Sequence, residues 1–336
     1  MFLYKKSINQ IKSNTSNTLM PSVQVEGCSS KVVIASLNLP FTWSNDIDGD
    51  PENVNLRPLY NHPAWRISRG IDNAVFVGMS AAEKAPLDHL QIVQVDPDVK
   101  EKNTVYCKER LWPLLHYNLW DKPLLDVSHE DALYDAYRRV NEAFADRLSG
   151  ILNPNDRLII VDYHLLLLPE LLKQRNQNQP KVLYIDTPVS SSEYVRCLPK
   201  ACDVLNGALG ANLVIVQSRS SARHCTSCCL RIMGLEKEYS ADGSLMIVDA
   251  AGQIETSLSV FPLGVDTDHV REVKDSFAVM ERLNELRRLY APGEYKIILG
   301  IDTSDHLYGI KHKLMAFKMF LELNRDWIGK VQCFLP

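Results

Sequence analysis

The chain has no run of about 18 apolar residues, so no segment reads as a membrane-spanning helix. It also lacks a Gly-rich Walker loop and any Gly-x-Gly-x-x-Gly turn after an apolar strand, which argues against P-loop nucleotide chemistry and against a dinucleotide-binding domain. No compact block of Lys and Arg interrupts a nearly balanced charge. The 37 basic and 41 acidic residues leave a formal net charge of -4, so neither nucleic acid nor an anionic membrane is an expected partner. Cysteine is too sparse, at eight in 336 residues, for a disulfide-stapled secreted domain, and a reducing cytoplasm is the expected compartment. The amino terminus has no apolar core of a signal peptide; Met1 to Ser30 is rich in Ser, Asn, Gln and Thr and reads as a flexible tail.

What is present is ordinary globular material, 46% hydrophobic and 23% charged, enough for one large domain or two of medium size. Order is expected to begin with a buried strand at Lys31 to Leu37. The stretch from Asp46 to Pro63, with its Pro, Gly, Asn and Asp, reads as loop. Ser128 and Asp131 form a capping-box pattern before a helix with apolar face Leu133, Tyr137, Val140, Phe144, Leu148 and Ile151. Strand-like and helix-like segments then alternate. Strands are expected at 157–161, 181–185 and 212–216, with helices at 165–173, from about 193, and at 220–233, which implies βαβ units and a mostly parallel sheet with helices on both faces. A strand pair follows at 246–248 and 258–261, then a charged helix from Ser276 to Tyr290. The turn Ala291-Pro292-Gly293 reads as a domain boundary, dividing a tail (1–30), a first domain (31–291) and the opening of a second (292–336). In that last part, a strand at 295–299 leads through a loop to a helix carrying Leu314, Phe317 and Leu321. A final strand at 330–334 reaches the end of the sequence with no helix to cover it, so the sequence is a fragment or something else covers that edge.

Asp162-Tyr163-His164 lies where a strand gives way to a helix, the position at which α/β proteins line a cleft with polar side chains. A helix-capping Asp and a half-buried His account for it equally well. Asp186-Thr187-Pro188, followed by Ser190-Ser191-Ser192-Glu193, stands at the next such junction and also reads as turn and cap. His224, Cys225, Cys228 and Cys229 invite a zinc reading. However, the three Cys form an i, i+3, i+4 stripe that packs as small apolar residues, and a close second ligand pair is missing, so no metal is expected. Leu111-Trp112-Pro113-Leu114-Leu115-His116-Tyr117 is an aromatic run that reads generically as core filling.

Taken together these segments resemble the trehalose-6-phosphate synthase family, retaining glycosyltransferases that join glucose from UDP-glucose to glucose 6-phosphate. Leu111 to Tyr117 is similar to the family's LWPLFHY, and Asp162 to Leu165 with Leu168-Pro169 to its HDYHLMLLP. Thr187-Pro188, Ser191-Ser192-Glu193 and Arg196 to Pro199 resemble HTPFPSSEIFRTLP. Arg223-His224 through Gly234-Leu235-Glu236, Phe261 to Asp266, and Gly300 to Ile310 follow in family order. The resemblance runs over about residues 31–336. It implies two Rossmann-like α/β domains facing across a cleft, of which this chain holds the first and the opening βα unit of the second.

The departures from the pattern bear on function. Where the family's GVDRLDYIKGI places an Arg and a Lys on the donor diphosphate, this sequence has Thr303 and Tyr308. Val161 stands for the first His of HDYH, and Asp186 for the His that opens HTPFP. Asn38 stands for the Arg of SNRLP, Phe76 and Met79 for the two Trp of WxGW, and Asn103 for the Tyr eight residues before LWP. Of the small-molecule contacts the resemblance implies, Trp112 and Asp162 are kept. Without a metal, a departing UDP depends on fixed cations, and losing one such donor typically costs about 10²–10³ in rate. The pattern resembles the synthase-like domains in the regulatory and phosphatase subunits of fungal trehalose complexes, which are non-catalytic. The leading expectation is therefore a silent scaffold that assembles with active synthase and phosphatase subunits and needs no cofactor. Two alternatives stand beside it. An active enzyme would use Lys311 as a substitute cation, although a solvated helix face explains that residue too. A sensor would hold glucose 6-phosphate without turnover.

Overall fold

Short apolar strands bounded by polar turns build the central sheet of the protein, whose computed structural model describes residues 30–45, 54–82, 84–119, 127–252, 254–290, 296–302 and 309–334. The tail expected at the amino terminus therefore falls, up to residue 29, outside the described residues. The chain divides into two compact units, Met1–Leu263 and Gly264–Pro336.

The first unit opens with β1 (Val32–Asn38), then an antiparallel hairpin of β2 (Phe41–Asn45) and β3 (Val54–Pro58), and the short helix α1 (Pro63–Ser68). β3 and α1 correct the expectation of loop up to Pro63. The stretch holds little pattern of its own and becomes a strand by pairing Leu56 with Trp43 and Pro58 with Phe41. β4 (Ala74–Met79), β5 (Leu90–Ile92), α2 (Pro97–Tyr106) and the long helix α3 (Val127–Ser149) come next. α3 starts one residue ahead of Ser128, and the Asp131 carboxylate reaches Lys200 Nζ at 3.4 Å. Regular alternation follows: β6 (Arg157–Val161), α4 (Leu168–Gln174), β7 (Lys181–Ile185), α5 (Ala201–Leu209), β8 (Leu213–Val216) and α6 (Arg219–Met233). β9 (Glu236–Tyr239), β10 (Leu245–Val248) and β11 (Glu255–Val260) complete the sheet.

The sheet order is β5-β4-β1-β6-β7-β8-β11-β10-β9, parallel from β5 to β11 and antiparallel through β10 and β9. Side chains alternate along each strand, so one face carries Val33, Ala35, Val77, Leu158, Ile160, Leu183 and Val214 against α2 to α6. The opposite face carries Ile34, Phe76, Leu90 and Val161 against Phe41 of the hairpin and Ala64 of α1. Helices thus lie on both faces, unequally. Two glycines allow close approach. A Cβ on Gly78 would stand 2.7 Å from the Leu39 nitrogen, where β4 meets the end of β1, and one on Gly210 would stand 2.3 Å from the Glu170 nitrogen, where α5 ends against α4.

After β1 the chain moves out to β4 and β5 and then returns to place β6 on the other side of β1. The direction of winding reverses there, and the crevice at the carboxyl ends of β1 and β6 is where open α/β sheets hold ligands.

The second unit contains α7 (Thr267–Lys274), α8 (Phe277–Tyr290), β12 (Lys296–Leu299), α9 (Ile310–Leu323) and β13 (Val331–Phe334), with β12 and β13 parallel in a single βαβ arrangement. Tyr290 packs edge-on against Phe334, 4.9 Å between ring centres. The division between units falls ahead of α7, and α7 and α8 bury none of their residues. The turn at 291–293 lies outside the described residues. Among the described residues no helix is long and apolar enough to cross a membrane.

Candidate functional site

The side chains at the carboxyl edge are placed by how β6 and β7 end. Asp162, directly after β6, has φ 71° and ψ 174°, a left-handed conformation that costs a residue with a side chain about 1–3 kcal/mol. Neighbouring groups hold it there: its N–H donates to Tyr184 O at 2.7 Å. Its Oδ1 accepts from the Thr187 N–H at 3.1 Å and from Thr187 Oγ1 at 2.5 Å. Burial raises the Asp162 pKa and the Thr187 bonds oppose the rise.

Two histidines and a second carboxylate surround it. His164 Nδ1 lies 3.9 Å from Asp162 Oδ2, and its ring packs on Tyr163 with 3.9 Å between centres. Burial pushes its pKa down to about 4, so the imidazole is neutral at pH 7. His62 caps α1, with Nδ1 accepting from the Ala64 N–H at 3.2 Å. Its pKa is lowered by burial, while the charge of Asp162 works in the opposite direction. Asp186, one residue beyond β7, accepts a hydrogen bond from Gln217 Nε2, just after β8. The Asp186 pKa is raised by burial and then by the nearby Asp162, while Arg66 of α1 opposes the rise.

Among the described residues named above, the edge is a set of acceptors and neutral rings, with Arg66 acting electrostatically on Asp186. Such a set suits the hydroxyls of a sugar. It suits a diphosphate badly, because two carboxylates in a partly desolvated crevice repel it.

The residues that the sequence singled out are scattered by the fold. Asp162 and Asp186 are brought together. Asn38 is exposed at the end of β1. Val161 and Phe76 are buried in the second core cluster, with Phe76 edge-on to Phe41 at 4.9 Å, and Met79 is buried in the first. Asn103 is wholly buried on the inner face of α2 with Val99 and Tyr106, and its Oδ1 accepts from Cys107 Sγ at 3.7 Å, so it lines no open crevice. Trp112 is half-buried and stacks on His116, 4.0 Å between ring centres; a π-helical turn, Cys107–Leu111, sets the phase of this aromatic run. Thr303 and Tyr308 lie outside the described residues. Lys311 is exposed on α9 of the second unit, where Lys313 pairs with Asp302 at 2.5 Å. Cys228 and Cys229 are buried and Cys225 packs beside them, so the stripe fills the core between α6 and the sheet. His62, Arg66 and Gln217 were not legible as site residues. The sole signal was the His62-Pro63 start of a helix; nothing local marked the other two.

Residues 60–334 match the model of glycosyltransferase family 20. The chain belongs to glycosyltransferase family 20. Its relatives include the Arabidopsis thaliana alpha,alpha-trehalose-phosphate synthase [UDP-forming] 1, 34% identical over 80% of this chain and 28% of that protein. The trehalose-phosphatase of Schizosaccharomyces pombe is 33% identical over 67% of this chain and 26% of that protein. The 56 kDa subunit of the Kluyveromyces lactis synthase is 34% identical over 66% of this chain and 43% of that protein. The chain thus spans from about a quarter to under half of these family members. The solved N-terminal domain of Candida albicans trehalose-6-phosphate phosphatase superposes with a TM-score of 0.74 at 25% identity, covering 94% of this chain and 66% of that one. The UDP-forming synthase of Burkholderia vietnamiensis, at 19% identity, shares the fold with a TM-score of 0.71 over 91% of this chain and 63% of that one.

Proposed function

We propose that this family 20 chain serves trehalose metabolism as a synthase-like partner without turnover of its own, assembling in the cytoplasm with active trehalose-6-phosphate synthase and phosphatase. The observation that carries this reading is the pairing of Asp186 with Asp162 at the carboxyl edge. Two carboxylates, each with a raised pKa, oppose the anionic donor that a UDP-dependent transfer requires. Arg66 of α1 opposes that rise at Asp186, so its charge already acts on a carboxylate of the protein. Thr303 and Tyr308 in place of two cations point the same way.

The test is capture of the natural full-length protein with its neighbours, followed by assay with UDP-glucose and glucose 6-phosphate. The expected result is co-purification with an active synthase and no UDP release from the isolated protein. UDP release that disappears in Lys311→Ala overturns the reading in favour of an active transferase. Retention of Trp112 beside His116 favours a second role, sugar-phosphate binding without turnover. Glucose 6-phosphate is then expected to change the indole fluorescence, with the change lost in Trp112→Phe.

A further inference from the structure

The segment by which the chain leaves the first unit is tied to the candidate site by side chains. After β11 it runs Phe261-Pro262-Leu263 into Gly264, whose φ of 69° opens the second unit. The Phe261 N–H extends the sheet ladder to Val216 O at 2.9 Å. Tyr184 Oη donates to Phe261 O at 3.0 Å. The Leu263 N–H donates to Gln217 Oε1 at 3.4 Å, and Nε2 of the same carboxamide donates to Asp186 Oδ1. Gln217 is thus a two-ended bridge, with one end on a carboxylate of the site and the other on the exit backbone.

We propose that Gln217 is a positioning residue that relays occupancy of the site to this exit segment. A carboxylate can accept from a ligand hydroxyl, and its partial desolvation makes a new donor attractive. An uncharged, hydroxyl-rich sugar that takes Asp186 as its acceptor competes with Gln217 Nε2, frees the carboxamide, and so weakens its hold on the Leu263 N–H. The ligand class follows from the two carboxylates, which repel a phosphate and welcome hydroxyls. The inference rests on the reading of the chain as a synthase-like partner without turnover of its own.

The test is amide hydrogen exchange at single-residue resolution on the full chain, with Leu263 as reporter and Phe261 as internal reference. Gln217→Ala and Asp186→Ala are each expected to speed Leu263 exchange about fivefold, the loss of one net hydrogen bond, while Phe261 stays unchanged. Asp186→Asn, which keeps an acceptor oxygen, is expected to retain the wild-type rate. Tyr184 still seats the Phe261 carbonyl in all three variants, so the effect stays local. With glucose as probe, Leu263 exchange should rise in the wild type and not in Gln217→Ala. The relay is overturned if Asp186→Ala leaves Leu263 protected, if Phe261 accelerates with Leu263, or if saturating glucose leaves the wild-type rate unchanged. UDP release by the protein bears on the non-catalytic reading alone and leaves these outcomes distinguishable.

Discussion

The helix-covered core of the first unit and the carboxyl edge of the same sheet hold different kinds of polar group. In the core, Tyr137 is fully buried, yet its Oη donates to Tyr163 O at 2.8 Å and accepts from the Leu166 N–H at 3.1 Å. At the rim of that core, Arg110 meets the Glu130 carboxylate through three hydrogen bonds of 2.6–2.9 Å. At the edge, Asp162 holds a left-handed backbone, two carboxyls are raised, and His164 is depressed. The core meets most of its polar demand with hydrogen-bond partners but leaves Asn103 Nδ2 and Tyr106 Oη without one, whereas the edge gathers two carboxyls of raised pKa on a strained backbone, the pattern of a candidate ligand site. The raised carboxyls and the strained backbone make the edge the candidate site.

That contrast can be broken or sharpened by substitution. The largest effect belongs to the core: Phe144→Ala, at a wholly buried position on α3, is expected to cost about 4 kcal/mol in urea unfolding. A value below about 1 kcal/mol would remove the core side of the comparison. At the edge, the His164 pKa lies near 4 in the fold against 6.5 ordinarily. The unfolded chain therefore binds the proton first as pH falls, so stability is lost between pH 6.5 and 4 and is intact above. This amounts to about 3 kcal/mol, and His164→Asn should flatten that limb of the pH profile. Arg110→Met strands the Glu130 carboxylate and is expected to cost about 2 kcal/mol, with no effect on the edge.

The smallest effect has the opposite sign. Because burial and Asp162 raise the Asp186 pKa above 3.8, its charge works against the fold once pH exceeds the unfolded value. Asp186→Asn should stabilise by about 0.5 kcal/mol at pH 7, and the gain should vanish below pH 3.8. A destabilising result would mean that Asp186 is favourably paired and that the edge is not in conflict.

Much of the fold was legible wherever a strand or helix carried its own period. The alternation from Arg157 to Met233 and the apolar face of α3 were readable because those segments bury one stripe or one face against many neighbours. β5 has three residues, and β9 is the exposed sequence Glu-Lys-Glu-Tyr, so neither carries a hydrophobic pattern to read. Asp162 and Asp186 stood out as the residues that end consecutive parallel strands. Arg66 and Gln217, which share the site with them, were silent because nothing in a single turn of helix or a strand exit announces its partner.

By itself the sequence determined the parallel α/β class and the order of the motifs it resembles, since these depend on local period and on which side chains are present. Only the tertiary structure decided that Asp162 and Asp186 stand close enough for the charge of Asp162 to raise the Asp186 pKa, that Asn103 faces inward, and that Gln217 joins Asp186 to Leu263. Such pairings arise between segments tens of residues apart, where the register of β6, β7 and β8 brings distant strand ends side by side.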